Sequence, residues 1–239
     1  MADLLTDELR AVGSPDRAAQ EKAYLKSDLE FFGESVWEIR RVAKAFSAGA
    51  GPLDHDRLIA LVEALWARPI FECRMAAVVE LELHPRLLTV ADLTLIERLL
   101  RKSLTWALVD ALATDVVGGI LERAPTEATP ILDRWSTDPD FWIRRASLLG
   151  ELPGVRAGGT VEPFLRRADA MLDEKEFFIR KAIGWVLREV GKRRPDEVVA
   201  WLAPRTHRAS GVTIREAVKY LPPSAAERLM TAYREKRPA

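Results

Sequence analysis

Apolar residues recur along nearly the whole chain at the three- to four-residue spacing of helices that bury one face. Leu58-Ile59, Val62 and Ala64-Leu65 form one such run, and Val186-Leu187 with Val190 another. Strand-like alternation is weak throughout. Helix starts carry suitable caps: Ser14-Pro15 with Asp16, Asp54 before Arg57-Leu58, Thr89 before Asp92-Leu93, and Asp138-Pro139. Pro85, Pro125, Pro153, Pro195 and Pro204 fall between apolar runs and mark helix boundaries. The pattern predicts about a dozen helices of ~10–15 residues in antiparallel pairs. The stretch from Leu152 to Thr160 reads as an irregular connection, and the tail 234–239 as frayed.

A longer period lies over the helical one. In six stretches an aromatic or apolar residue is followed by one or two charges, then Ala, then an aliphatic run. The clearest Ala positions are Ala76, Ala111, Ala146, Ala182 and Ala217, at gaps of 35, 35, 36 and 35 residues, with Ala43 a looser sixth 33 residues earlier. A period of this length belongs to stacked helical repeats. The expected fold is therefore all-α: a HEAT-like helical repeat solenoid of about six antiparallel helix pairs with a concave binding groove, one domain over residues 1–239. Just before the well-spaced Ala positions stand Met75, Asp110, Arg145, Lys181 and Glu216. Equivalent positions should face the same way, so a carboxylate and two cations are expected as neighbours along a ladder, with Trp106 and Trp185 opening onto the same groove.

Composition narrows the chemistry. One cysteine, Cys73, rules out a disulfide within the chain, suits a reducing compartment and sits in an apolar helical pattern, as a buried structural thiol would. With one Cys and with His55, His84 and His207 standing apart, zinc and iron–sulfur sites are excluded and no metal or cofactor is expected. The acidic first ten residues lack a secretory pattern, and no apolar run approaches the ~20 residues of a membrane span, so a cytoplasmic protein is expected. The 36 basic and 36 acidic residues balance overall but not locally: residues 1–120 hold 14 basic and 19 acidic, net −5, and the remainder 22 and 17, net +5. A basic C-terminal half suits a polyanion.

Phosphate-loop, dinucleotide-binding, nucleophile-elbow and metalloprotease motifs are all missing. What stands out is aromatic residues beside charges. Trp106 and Asp110 share a helix face at i and i+4; Phe141-Trp142 precedes Arg144-Arg145; Phe177-Phe178 precedes Arg180-Lys181, with Trp185 and Arg188 beyond; Tyr24 and Lys26 begin the set. Aromatic faces beside a carboxylate suit a cationic ligand, and arginines nearby suit a phosphate backbone. A cationic group on a polyanion describes an alkylated purine in DNA.

The segment from Lys175 through Phe177-Phe178-Ile179-Arg180-Lys181-Ala182 to Trp185 and Arg188-Glu189, continuing to Lys192 and Pro195, resembles the AlkD-like DNA alkylation repair family of all-helical HEAT-like glycosylases. So do Tyr24 to Lys26 with Phe32-Gly33, Leu65-Trp66, Lys102-Ser103 with Trp106 to Asp110, Asp140 to Ala146, and Arg215 to Lys219, all in family order over roughly residues 20–220. The resemblance implies a glycosylase acting on cationic N3- or N7-alkylated purines in double-stranded DNA as a monomer without cofactor. It implies Asp110 as the catalytic aspartate, Trp106 and Trp185 as the aromatic residues flanking the lesion, and Arg145 as a cleft arginine near the DNA backbone. Tyr24, Phe177, Phe178 and Arg188 would line the same cleft, and Lys26 and Lys181 add DNA-binding charge. The Trp-Trp-Asp run of some members reads Thr105-Trp106-Ala107 here. The alternative function is a catalytically inactive HEAT-like scaffold binding DNA or protein.

Overall fold

The computed structural model describes residues 1–235, and these form an all-α helical repeat fold. Its only extended pairing among the described residues is an isolated bridge between Glu30 and Ile70. The chain divides into two compact units, Met1–Ile120 and residues 121 onward. The first holds α1 (Ala2–Ala11), α2 (Pro15–Leu25), α3 (Val36–Gly49), α4 (His55–Trp66), α5 (Phe71–Leu83), α6 (Leu93–Arg101), α7 (Trp106–Ala111), a π-helical stretch Leu112–Val117, and the start of α8 (Gly118–Arg123). The second holds α9 (Pro125–Trp135), α10 (Phe141–Leu149), α11 (Leu152–Ala157), α12 (Glu162–Ala170), α13 (Phe177–Gly191), α14 (Pro195–Leu202), α15 (Gly211–Ala217) and α16 (Pro223–Glu235).

The 35-residue period is visible in the helix starts. Helices α5, α7, α10 and α13 each begin on an aromatic residue, Phe71, Trp106, Phe141 and Phe177, five positions before Ala76, Ala111, Ala146 and Ala182. Ala76, Ala146, Ala182 and Ala217 are fully buried, whereas Ala111 is half-buried. A methyl side chain there lets neighbouring helices come close without a void. Two residues earlier stands an arginine with a repeated job. Arg74, Arg144 and Arg180 each donate to a carbonyl six residues back, of Arg68, Asp138 and Glu174, at 3.2, 2.6 and 2.6 Å for the last atom pairs. These charged donors satisfy carbonyls in the turns before the helices.

In the first unit α5 packs on α3 and α4; in the second α13 packs on α10, α14 and α15. Leu5, Ile39, Leu58 and Leu65 are solvent-free in the former, and Trp135, Phe164, Ile183 and Leu187 in the latter. Each such side chain contributes ~1.5–3 kcal/mol relative to exposure. Cys73 is buried in α5, 3.5 Å from the Thr6 hydroxyl, and burial pushes its thiol up from its ordinary value.

Most predicted boundaries hold. Asp54 caps α4 by accepting from the Arg57 amide at 2.9 Å, and Thr89 and Asp92 form a reciprocal capping box. Three expectations need correction. The stretch from Leu152 is helical through Ala157, because Leu152 and Val155 are buried and Pro153 occupies a first-turn position where its missing amide costs nothing. The cap of α10 is Asp140, which accepts from the Trp142 amide at 2.9 Å, not Asp138, whose carboxylate instead accepts from the Asp140 amide at 2.9 Å. Arg234 and Glu235 close α16 rather than fray, and 236–239 lie outside the described residues.

Candidate functional site

In the first unit, Trp106 opens α7 and Asp110 follows one turn later; both are half-buried. The Tyr24 ring, largely exposed at the end of α2, meets Trp106 edge-on with centroids 6.0 Å apart and planes at 86°. Edge-to-face contact places the hydrogens of one ring on the electron-rich face of the other. Behind them lies a recess of about 260 Å³ whose walls include Tyr24, Val36, Phe71, Met75, Trp106 and Ala111. Its lining is almost wholly apolar, with Glu21 the one charged residue. Lys26 sits just beyond, exposed and in the left-handed region at φ 49° where α2 ends.

The backbone around Asp110 is unusual in two places. Leu104, two residues before Trp106, is a 60 % exposed leucine at φ 55°. After Ala111 the helix widens into its π turn. There Thr114 donates to the Asp110 carbonyl at 2.8 Å and to the Asp115 carboxylate at 2.9 Å. Asp115 in turn accepts from Arg40 at 3.1 Å, and Arg40 also bonds Glu82. Such insertions recur at functional sites because they re-aim side chains without ending the helix.

In the second unit, Phe177 and Phe178 begin α13, with Phe177 exposed and Phe178 half-buried. Phe141 and Trp142, outside the candidate set, join them: Trp142 and Phe178 centroids lie 4.8 Å apart, Phe141 and Phe178 6.1 Å. The repeated aromatic at the first helical position was the sequence signal for this cluster. Arg145 is only 3 % exposed; its guanidinium donates to the Phe178 carbonyl and lies 5.6 Å from the Phe178 ring. Its position thus braces the start of α13 from within. The Trp185 ring is half-buried, and its indole nitrogen is buried without a hydrogen-bond partner.

Lys181 and Arg188 meet at one carboxylate. Glu216 of α15 accepts from Lys181 at 2.5 Å, Arg188 at 2.6 Å and Lys219 at 2.8 Å. Burial pushes the Glu216 carboxyl up, but the hydrogen bonds and charges of Lys181 and Lys219 outweigh it and hold the group at about 2. The convergence depends on Gly184. A Cβ there would lie 2.7 Å from the Glu216 Cβ and 2.9 Å from the Thr213 carbonyl, so any larger residue would part α13 from α15. Lys181 and Glu216, adjacent rungs of the expected ladder, are therefore brought together, with Arg188 added from two turns further along α13. That a glutamate would gather cations 28 and 35 residues away could not be read from spacing alone.

Among the described residues no group of three metal-ligating side chains converges, and no helix is long and apolar enough to cross a membrane.

The first unit thus presents a Trp–Asp pair beside an apolar recess and the second a set of cations held by one glutamate, on an all-helical repeat fold. The chain matches the family model described as DNA alkylation repair enzyme over residues 5–221, and it belongs to that family. Its fold is similar to that of a predicted DNA alkylation repair enzyme from Enterococcus faecalis, with TM-score 0.80 at 23 % identity over 88 % of this chain and 97 % of that one. It is also similar to the crystal structure of AlkD2 from Streptococcus mutans, with TM-score 0.63 at 19 % identity over 85 % and 99 %. A search of curated proteins finds no match. Membership gives the chain a role in DNA alkylation repair, and with it DNA as partner.

Proposed function

We propose that the protein is a DNA glycosylase that hydrolyses the N-glycosidic bond of N3- or N7-alkylated purines in duplex DNA. The observation that carries this reading is the Trp106–Asp110 pair, one turn apart on α7, half-buried, with the Tyr24 ring set against Trp106. An alkylated purine of this kind carries a positive charge and is already a good leaving group. As the C1′–N bond breaks, its electron pair stays with the base, which departs neutral, and positive charge develops on the deoxyribose. A fixed carboxylate beside C1′ stabilises that charge. It then takes a proton from the water that adds to C1′, leaving an abasic site. Asp110 has that role. Trp106 contacts the lesion's sugar and limits water; Tyr24 and Lys26 of the first unit and Trp185, Phe177 and Phe178 of the second each contact DNA.

Lys181 and Arg188 supply phosphate-binding charge, which their shared partner Glu216 restrains. Arg145, turned toward the Phe178 carbonyl, acts on DNA by holding the start of α13 in place. An already labile bond needs no proton from the enzyme, which accords with a single carboxylate and favours cationic over neutral lesions.

The test is direct. Methylated duplex DNA incubated with the purified protein should release free methylpurine and leave abasic sites. If a folded protein binds the duplex and releases no base, the DNA-binding scaffold reading replaces this one.

A further inference from the structure

A second recess, of about 340 Å³, lies wholly within the second unit, between the start of α13, the turn before α15, and α16. Its lining includes Arg180, Arg208 and Arg215 with His207, and no carboxylate is among the lining residues. Arg208 is already offset by Asp169 at 2.8 Å and Asp173 at 2.8 Å. The other two arginines are not. Arg180 spends its Nε on the Glu174 carbonyl, and its two terminal amino groups make no hydrogen bond among the described residues. Arg215 is exposed and makes no hydrogen bond or ion pair among them. Several other arginines of this unit do have carboxylate partners: Arg144 is held by Glu174, Arg156 by Glu189, Arg167 by Asp133 and Arg188 by Glu216.

Gly211 forms the floor. A Cβ there would fall 2.7 Å from the Tyr233 hydroxyl and 2.9 Å from an Arg215 terminal nitrogen, so glycine is what lets that guanidinium lie over the recess. Two unspent guanidinium groups converging without a counter-charge repel one another, and planar pairs of N–H donors match phosphate oxygens.

We propose that this recess is a phosphate-binding site that takes a phosphodiester of the DNA backbone. The inference rests on the reading of the chain as a DNA-binding repair enzyme, and it adds a contact point outside the Trp106–Asp110 region. Access favours a phosphodiester over a free anion. His207 and Arg215 are exposed, so a phosphate still joined to sugars on both sides can enter. The recess also shares the first turns of α13 with Phe177 and Phe178, already assigned to DNA.

The experiment measures binding of an undamaged duplex across a range of salt for the unmutated protein, Arg215→Ala, Arg215→Lys and Arg180→Ala, with melting temperatures alongside. Undamaged DNA makes the readout independent of excision. Arg215→Ala should bind three- to tenfold more weakly and reduce the slope of log affinity against log salt by about 1, the signature of one lost phosphate contact. Arg180→Ala should do the same, and Arg215→Lys should restore most of the slope. A duplex affinity and slope unchanged in Arg215→Ala overturn the proposal while leaving the glycosylase reading intact. If duplex affinity is unchanged in Arg215→Ala while pyrophosphate raises the melting temperature of the unmutated protein but not of that variant, the occupant is a small free phosphate and the DNA assignment fails. Loss of excision with the slope effects retained would instead remove the Asp110 mechanism and leave this site standing.

Discussion

The two units run the same repeat and give it opposite chemistry. In the first, the position before the repeat alanine holds buried Met75 and half-buried Asp110, next to an apolar recess walled by aromatic rings. In the second, it holds Arg145, Lys181 and Glu216, each engaged with a polar partner, and the nearby recess is lined by arginines. Two buried glutamates make the contrast sharpest. Glu34 in the first unit is 2 % exposed, and neither carboxyl oxygen has a hydrogen-bond partner; burial, then the charge of Glu72, pushes it up to about 7. Glu216 in the second is also buried, though less deeply, but gathers three cations and is held at about 2. The repeat sets where a side chain goes, and the neighbours it meets there decide what it can do. A net −5 in residues 1–120 and +5 in the rest is the sequence-level shadow of that division.

The largest effect should come from Asp110. Asp110→Asn keeps size and most hydrogen bonding but removes the charge. Excision of a cationic N7-alkylguanine or N3-alkyladenine, followed in single turnovers, should fall on the order of 10²- to 10³-fold, the scale of losing one strong transition-state interaction. Duplex affinity should hold or improve slightly, and the melting temperature should stay near that of the unmutated protein. A joint fall in stability, affinity and excision would instead make Asp110 a structural residue. Normal excision by a stable variant would end the proposed mechanism.

Much of this contrast is legible in the amino-acid sequence. The period gave the helix register, and the aromatic-then-charge pattern picked out Trp106, Asp110, Phe177 and Lys181. The rest depends on tertiary placement. Leu152-Pro153-Gly154 carries turn residues, yet it is helical because Leu152 reaches the core. Asp138-Pro139 reads as a cap, yet the helix begins two residues later, where Arg144 ties down both the Asp138 and Pro139 carbonyls. Arg145 reads as a groove-facing cation of the ladder, yet its guanidinium is buried against the Phe178 carbonyl. Helical rotation of about 100° between successive residues sends Arg144 to a turn and Arg145 inward.

The next largest effect tests the isolated glutamate. The native Glu34 carboxyl, at about 7, holds its proton where the unfolded chain, near 4.5, has lost it. Between those values the native state binds more protons, so this group's contribution to stability is full below 4.5 and is lost as pH rises through 7. Denaturant unfolding between pH 4.5 and 8 should show a decline that Glu34→Gln reduces by about 3 kcal/mol, at 1.36 kcal/mol per pKa unit. An identical decline in both proteins would mean that Glu34 is not the group responsible.

The paired glutamate has the opposite sign. Glu216 contributes stability above pH 4.5 that is lost as pH falls toward 2. At pH 7, Glu216→Gln should destabilise by about 2 kcal/mol, because three cations lose their shared partner. The same change frees Lys181 and Arg188, so duplex affinity at low salt should tighten several-fold even as the fold weakens. Weaker DNA binding by a variant still folded would show that Glu216 matters by aiming those cations rather than by restraining their charge.

The smallest effect concerns the turn that delivers Trp106. Leu104 holds φ at 55°, where a side chain crowds its own backbone, and its exposure means little burial is at stake. Relief of this strain should outweigh the added freedom of the unfolded chain, so Leu104→Gly should stabilise by roughly 1 kcal/mol. If the left-handed turn is only a way of entering α7, excision should be unchanged. If stability rises while excision falls, the exposed leucine or the rigidity of its turn serves the substrate, and the first unit's aromatic site extends two residues before Trp106's own helix. No change in stability would mean that the surrounding loop absorbs the strain.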